Sequence, residues 1–325
     1  MKRCFLLLIL LVCMGAARAE DLTCVRDGAH RLMGEIVVDG YAFAIDAVLE
    51  EGLPAASRVS YHAKAFDPAS WEAALRECFP ESADDLIARY TLSGAEVWTT
   101  DDWPAVSGIP VLPASENAPD AWLAARQAQC AAFLAAVGVA CDPIPFSVTY
   151  TASRPDSSFP VCMDASDRDR ATGAQLCFLL SAGEAPVAIG GELLSRHNGS
   201  FGGWGKALIC RCPAARFQFD LEGRLLDFHA ACLDMEVSGA SVEDFLSWEE
   251  ALALMLSDFV AHENIRRNLA DFGYTVTAIR RAWDLDARDT GRPGWMISLS
   301  AKSEAAASPT GWINRVYTGF VYGDK

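Results

Sequence analysis

The alternation of apolar and polar positions is clearest near the end of the chain. Apolar residues from Trp248 to Phe259 recur every three or four positions, the spacing of one buried helix face. Ser247 and Glu250 stand three apart at its start, where each side chain can cap a backbone N–H. The pattern predicts a helix from Ser247 and a second, short helix from His262 to Ala270.

After Gly273, which is predicted to cap the second helix, apolar residues recur at every second position. Tyr274 to Ile279 then predict a strand, and Asp289–Gly294 predict a turn. The other predicted features are a strand face of Trp295, Ile297 and Leu299, a loop at Ala301–Pro309, and a hairpin of Ile313–Val316 and Phe320–Tyr322 joined through Tyr317–Gly319. A helix on an antiparallel sheet buries one face of each, which is an α+β arrangement.

The first part of the chain predicts two strands followed by helices. Alternating residues at 41–48 and 59–63 predict the strands, and Asp67–Pro68 predicts a helix start with an Asp cap. Further helices are predicted from Ser82 and over Asp120–Val137. Residues 20–145 are therefore predicted to form an N-terminal α+β domain.

Residues 146–240 are predicted to form a β-rich central domain. Strands are expected near 146–150, 176–180 and 207–212, and a hairpin turns at Glu222–Gly223. With residues 241–325 as a C-terminal domain, the predicted fold class is α+β, built from tandem small antiparallel sheets that are each packed with helices.

The first nineteen residues have the pattern of a signal peptide. Lys2 and Arg3 precede an apolar run over Phe5–Met14, and Ala17-Arg-Ala19 is a small-residue cleavage site. Cys13 offers a lipoprotein alternative, but a bulky valine precedes it. We expect cleavage after Ala19 and an exported protein, either extracellular or in the cell envelope, attached to a membrane only if Cys13 carries a lipid.

The chain is acidic, with a formal net charge of −16 at pH 7. Nucleic acid and anionic membrane surfaces repel such a chain, so neither is an expected partner. The acidic residues are spread along the chain, which is typical of a solvated surface.

Nine of the eleven cysteines follow the predicted leader, and export favours disulfides. They are Cys24, Cys78, Cys130, Cys141, Cys162, Cys177, Cys210, Cys212 and Cys232. Because the number is odd, at least one thiol stays free or pairs between molecules. Cys210 and Cys212 are close in sequence, but a zinc site would need a second such pair, so buried or bridged structural cysteines are expected.

No catalytic, cofactor-binding or metal-binding residue is predicted. The five histidines (His30, His62, His197, His229 and His262) lack a metal-binding spacing. Asp227 and His229 can share a strand face, but no nucleophile can be placed beside them. Asp164, Asp167 and Asp169 alternate with arginines that oppose calcium. The glycine-rich Ser195–Gly205 lacks a P-loop order, so no nucleotide is expected.

The C-terminal segment resembles the repeat unit of the PepSY and YycH/YycI-like envelope proteins. The matching stretches are Leu246–Ala251, the Tyr274–Ile279 strand and the Ile313–Tyr322 motif. This resemblance implies partner binding, protease inhibition or control of a membrane sensor kinase.

The mature chain also resembles the DUF6034 group of exported proteins from Gram-positive gut bacteria. The resemblance rests on Ile45–Val48, Val59, Phe66–Asp67 and the hairpin before the C-terminal helix. The chain departs from that group in lacking a good lipobox, which argues against membrane anchoring.

Three functional hypotheses follow. The first is a non-enzymatic exported protein that binds an envelope protein and offers a sheet edge or groove. The second is an exported hydrolase in which Asp227, His229 and one free cysteine converge in a pocket. The third is a structural surface protein without a specific ligand.

Overall fold

The computed structural model describes residues 21–323 apart from several internal segments. The segments outside the description are 1–20, 29, 53–57, 65–66, 94–95, 100–120, 143–144, 146, 155–156, 164–172, 184, 190–213, 232, 241–244, 262–268, 286–289, 305–311 and 324–325. The predicted signal peptide, glycine-rich stretch, acidic 164–169 cluster and second C-terminal helix thus fall largely or wholly outside it.

Four helices and seventeen strands are present in the described residues. The helices are α1 (Pro68–Cys78), α2 (Ala83–Arg89), α3 (Ala121–Ala136) and α4 (Trp248–Ala261), and Leu269–Asp271 forms a short 3-10 turn. The strands are β1 (Asp21–Asp27), β2 (Arg31–Val38), β3 (Tyr41–Glu50), β4 (Arg58–Ala63), β5 (Thr91–Ser93), β6 (Glu96–Trp98), β7 (Ser147–Arg154), β8 (Ser157–Met163), β9 (Gly173–Leu179), β10 (Ser181–Ala182), β11 (Ala185–Ile189), β12 (Ala214–Asp220), β13 (Leu225–Ala231), β14 (Leu233–Ser238), β15 (Gly273–Leu285), β16 (Thr290–Glu304) and β17 (Trp312–Tyr322). The α+β content agrees with the prediction.

The larger sheet has ten strands and joins the two ends of the chain. Its main order is β1-β2-β3-β15-β16-β4-β14, with β17 beside β16 and β11 beside β15. The central pairing of β3 with β15 is parallel, with Ala44 opposite Thr275. The predicted tandem arrangement of small sheets is wrong, because strands from 20–145 and 241–325 hydrogen-bond directly to each other.

The smaller sheet has seven strands in the order β5-β6-β13-β12-β9-β7-β8. Its β12–β13 hairpin is the predicted one, and Gly223 forms its turn with φ +91°, a conformation that favours glycine. The short strands β5 and β6 come from the N-terminal segment and pair with β13. The predicted boundary at residue 145 therefore does not separate the two sheets.

Each sheet is covered by helices on its outer face. Phe133 of α3 lies in the first core, where its ring contacts Trp71 of α1 at 5.3 Å and Phe217 of β12 at 5.8 Å between centroids. Phe259 of α4 lies in a second core and contacts Tyr317 of β17 at 5.2 Å.

A third, small cluster lies between the sheets. Cys177 and Leu179 point away from the first core and contact Ala282, Met296 and Phe320 of the larger sheet. The layers are therefore helices α1–α3, the seven-stranded sheet, the ten-stranded sheet and helix α4.

Two glycines explain where the predicted C-terminal turns are wrong. Strand β16 runs through residues 290–294 of the predicted Asp289–Gly294 turn, and β17 runs through the predicted Tyr317–Gly319 turn. A Cβ at Gly294 would overlap the Phe320 ring, and one at Gly319 would lie 3.1 Å from Met255 Cγ of α4. Both glycines serve close packing inside long strands. Gly273 begins β15, and most of the helix that it was predicted to cap lies outside the described residues.

The predicted caps at Ser247 and Asp67 are confirmed. Ser247 N donates to Glu250 Oε2 at 3.0 Å and Glu250 N donates to Ser247 Oγ at 3.2 Å, which is the predicted capping box. Asp67 accepts from Ala69 N at 3.2 Å at the start of α1. Among the helices that the structure describes, none has the length and apolarity needed to cross a membrane.

Candidate functional site

Asp227 and His229 lie on one face of β13, as the sequence predicts. The Asp227 carboxylate, however, is bound by Arg89 of α2. Asp227 Oδ1 accepts from Arg89 Nη1 at 2.6 Å and from Thr99 Oγ1 at 3.5 Å. Arg89 also donates to the carbonyl of Leu226. The carboxylate thus anchors α2 to the sheet.

The nearest cysteine on this sheet is separated from His229 by a whole strand. His229 lies opposite Arg216 on β12, and Arg216 lies opposite Cys177 on β9. Neighbouring strands are about 4.8 Å apart, so the backbones of Cys177 and His229 are about 10 Å apart with an arginine between them. Across these three strands, Cys177 is therefore not within hydrogen-bonding distance of His229, as the hydrolase hypothesis would require.

Four of the described thiols have raised pKa values. Burial raises the pKa of Cys130 well above its usual value, and burial raises the pKa of Cys141, Cys78 and Cys24 in the same direction. A thiol that stays protonated at neutral pH reacts slowly, because the thiolate is the nucleophile.

The described cysteines form no disulfides with one another. Cys130 and Cys177 are buried, and Cys24, Cys78 and Cys141 are partly buried. The side chains of the other four cysteines lie outside the described residues. The predicted disulfide bridges therefore stay a prediction for those four.

The remaining sequence candidates do not form a site. His62 Nε2 lies 3.6 Å from Asp234 on the surface, and His30 is exposed. His197 and His262 lie outside the described residues. Across the described residues, no three His, Cys, Asp or Glu side chains gather as metal ligands would.

A buried charge cluster that the sequence analysis missed connects three parts of the fold. Arg280 of β15 donates from Nε to Glu50 Oε2 at 2.6 Å and from Nη2 to the Asp142 carboxylate. The Arg280 and Asp142 side chains are each 5% exposed, and that of Glu50 is 21% exposed. Asp142 is held in place because its N–H donates to the Leu179 carbonyl at 2.9 Å.

An open apolar recess lies beside this cluster, at the C-terminal end of α3. Its volume is about 420 Å³. Leu134, Val139 and Phe178 are buried in its floor, while Ala131 and Ala135 are exposed at its rim. Small side chains on the rim leave room above a floor of large ones, so the recess can accept an apolar group.

A second arginine of β15 has very different surroundings. The Arg281 guanidinium lies 3.5 Å from the centroid of the Phe245 ring and 4.1 Å from that of Trp295. The residue is 9% exposed, and its Nε and Nη1 atoms are buried without a hydrogen-bond partner among the described residues. Adjacent strand residues face opposite ways, so Arg281 lies on the α4 side and Arg280 on the inter-sheet side.

Comparison with known proteins assigns neither a family nor a function. No family model matches the chain, and no curated protein matches it. The structure is similar to the crystal structure of an uncharacterized protein from Eubacterium rectale, at 9% sequence identity over 94% of each chain, with a TM-score of 0.49. This similarity carries no functional argument.

Proposed function

We propose that the protein is exported to the cell surface or medium and acts by binding a protein partner, without a catalytic step. The resemblance of its C-terminal segment to PepSY and YycH/YycI-like proteins supports modulation of a protease or of a sensor kinase as the outcome. The observation that carries the binding proposal is the apolar recess at the end of α3.

The proposed occupant of the recess is one large apolar side chain of the partner, flanked by basic residues. A recess of about 420 Å³ is large enough for an aromatic ring or a leucine side chain. The backbone of the partner would then lie at the rim of the recess. Anchors of this kind contribute most of the free energy at protein interfaces. The chain's net charge of −16 favours a basic neighbourhood on the partner.

The arrangement of the polar groups favours binding over hydrolysis. Asp227 is occupied by Arg89, and the buried thiols have raised pKa values. A hydrolase would need a general base in contact with an activated nucleophile.

Site-specific photo-crosslinking in the native host tests the proposal. A p-benzoylphenylalanine at Ala136, an exposed position next to the recess, should give a discrete adduct, and Ala135→Trp should suppress that adduct by filling the recess. The same crosslinker at Ala125, an exposed alanine of α3 outside the recess, is the matched control. Adducts of equal yield at both positions, or an adduct that survives Ala135→Trp, would contradict the recess as the binding site.

Export is tested on the same material. Mass spectrometry of the protein recovered outside the cytoplasm should find Glu20 as its first residue. A cytoplasmic protein that keeps residues 1–19 would contradict this part of the proposal.

A further inference from the structure

Arg281 is a charged side chain held between two aromatic rings with much of its hydrogen-bonding capacity unused. The guanidinium carbon lies 3.5 Å from the Phe245 centroid and 4.1 Å from the Trp295 centroid, and the planes of the two rings are 69° apart, so at most one ring stacks parallel to the guanidinium plane. These ring contacts supply no conventional hydrogen-bond acceptor, and Nε and Nη1 have none among the described residues. Buried donors in proteins are rarely left in that state.

The charge persists at physiological pH. Burial lowers the pKa of Arg281 to about 10, with Glu51 acting in the opposite direction, so the side chain is still protonated near neutrality. The neighbouring Arg280 has two carboxylate partners, whereas Arg281 forms no salt bridge within the described residues. A buried cation without a counterion is costly, which makes an anionic ligand the natural complement.

The Trp295 side of the Arg281 surroundings is fixed before any ligand arrives. Trp295 Nε1 donates to the Leu246 carbonyl at 2.9 Å, and Leu246 N donates to the Gly323 carbonyl at 2.8 Å. A Cβ at Gly323 would overlap the Phe245 ring, so that ring lies directly against the glycine backbone. The Trp295 ring, held by its hydrogen bond, orients the guanidinium and reduces the entropy that a ligand would otherwise have to remove.

We propose that Arg281 is the anchor of a carboxylate-binding site, with Phe245 and Trp295 orienting its guanidinium. A carboxylate is planar and matches the guanidinium fork with two parallel hydrogen bonds. The acidic chain, at −16, disfavours multiply charged anions such as phosphate relative to a monoanion. Both unused nitrogens are covered by their neighbours, so a carboxylate reaches them when the Phe245 ring shifts.

This site does not depend on the apolar recess. The recess borders Asp142, on the side of β15 that Arg280 faces, and Arg281 faces α4. Failure of either proposal therefore leaves the other standing.

Titration with a small carboxylate and its neutral counterpart tests the site. The probes are N-acetylalanine and N-acetylalaninamide, and the signal is the indole N–H resonance of Trp295, assigned with a Trp295→Phe variant. We expect a saturable shift with N-acetylalanine and none with the amide. Arg281→Met should weaken binding at least tenfold, and Arg281→Lys, which keeps the charge but not the fork, should weaken it by a smaller factor.

Arg292→Met is the matched control. Arg292 lies 4.2 Å above the Tyr322 ring on the adjacent strand but is exposed, so its loss should leave the titration unchanged. The proposal is overturned if both probes shift the resonance alike, if no saturable shift appears, or if Arg281→Met and Arg281→Lys bind like the wild type. Equal binding of inorganic phosphate would overturn the assignment to carboxylates.

Discussion

Replacing Arg280 by methionine is the sharpest test of how the two halves of the fold are joined. Arg280 lies on β15 of the ten-stranded sheet, Glu50 ends β3, and Asp142 follows α3 on the side of the seven-stranded sheet. Methionine has a similar length but no charge. The substitution takes the guanidinium away from two carboxylates, of which Asp142 is 5% exposed.

The expected cost follows from the burial of the pair. Breaking a buried ion pair by removing one partner typically costs about 3–5 kcal/mol, because a buried charge loses its compensation. Glu50, at 21% exposure, regains some hydration, so the Asp142 carboxylate contributes most of the loss. Arg280→Met with Asp142→Asn should recover about 1–3 kcal/mol relative to the sum of the single variants.

Arg281→Met supplies an internal comparison one residue away. It removes a buried cation without a carboxylate partner, which is favourable, and two cation–π contacts of about 0.5–2 kcal/mol each, which is unfavourable. The two effects should leave the free energy of unfolding within about 1 kcal/mol of the wild type. Arg280→Met and Arg281→Met are the same substitution on the same strand, so a difference between the two variants reports the different surroundings of the two arginines.

Urea unfolding followed by far-ultraviolet circular dichroism measures five proteins: the wild type, the single variants Arg280→Met, Asp142→Asn and Arg281→Met, and the double variant. The reasoning is refuted if Arg280→Met loses less than about 1 kcal/mol, or if Arg281→Met loses as much as Arg280→Met. A double variant that is only additive would show that Asp142 and Arg280 do not interact.

Two further predictions concern single groups. Burial would raise the pKa of Asp220, but hydrogen bonds from Arg224 N at 2.8 Å and Arg224 Nε at 2.7 Å outweigh it and hold that pKa below its usual value. Asp220→Asn should therefore lower the free energy of unfolding by about 1–2 kcal/mol at pH 7. The difference between wild type and variant should shrink as the pH falls below about 4, because the Asp220 carboxylate is then protonated. A difference that persists at pH 2 would contradict this. Cys130, which is fully buried with a raised pKa, should react with iodoacetamide only after unfolding. The partly exposed Cys78 should react in the folded protein, slowly because its own pKa is raised; equal rates in a mass-spectrometric time course would contradict the burial.

The sequence predicted features that depend on a few neighbouring residues. The Ser247–Glu250 capping box, the Asp67 cap and the Gly223 hairpin all follow from local geometry and are all present. The helical stripe of α4 is also present, with Trp248 to Phe259 packed in the second core.

Local patterns failed where a residue served a distant contact. Gly294 and Gly319 have the sequence character of turn residues, but they make room for Phe320 and Met255. Nothing in the period-two pattern of β15 selects β3 as its parallel neighbour, because strand partners are chosen by packing across the whole sheet.

The candidate sites were missed for the same reason. Arg280 and Arg281 are adjacent and of one type, and alternation along a strand predicts only that they face opposite ways. The partner that distinguishes them, Asp142, lies 138 residues earlier, in the linker between the predicted Asp120–Val137 helix and the strand predicted near residue 146. Burial and pairing become visible only when that linker is placed beside β15.

The position of β15 decides how the chain can be divided. It pairs with β3 and β11 in parallel and with β16 in antiparallel orientation, so it lies inside the sheet with partners from three parts of the sequence. The core that α4 covers likewise combines Phe43 and Ile36 from the start of the chain with Trp295 from its end. A fragment of residues 241–325 would expose the apolar surface that β2 and β3 bury, and would leave one edge of β15 unpaired. Any activity of this segment is therefore an activity of the whole ten-stranded sheet, and variants in β3 should disturb a ligand at Arg281 as much as variants in β16.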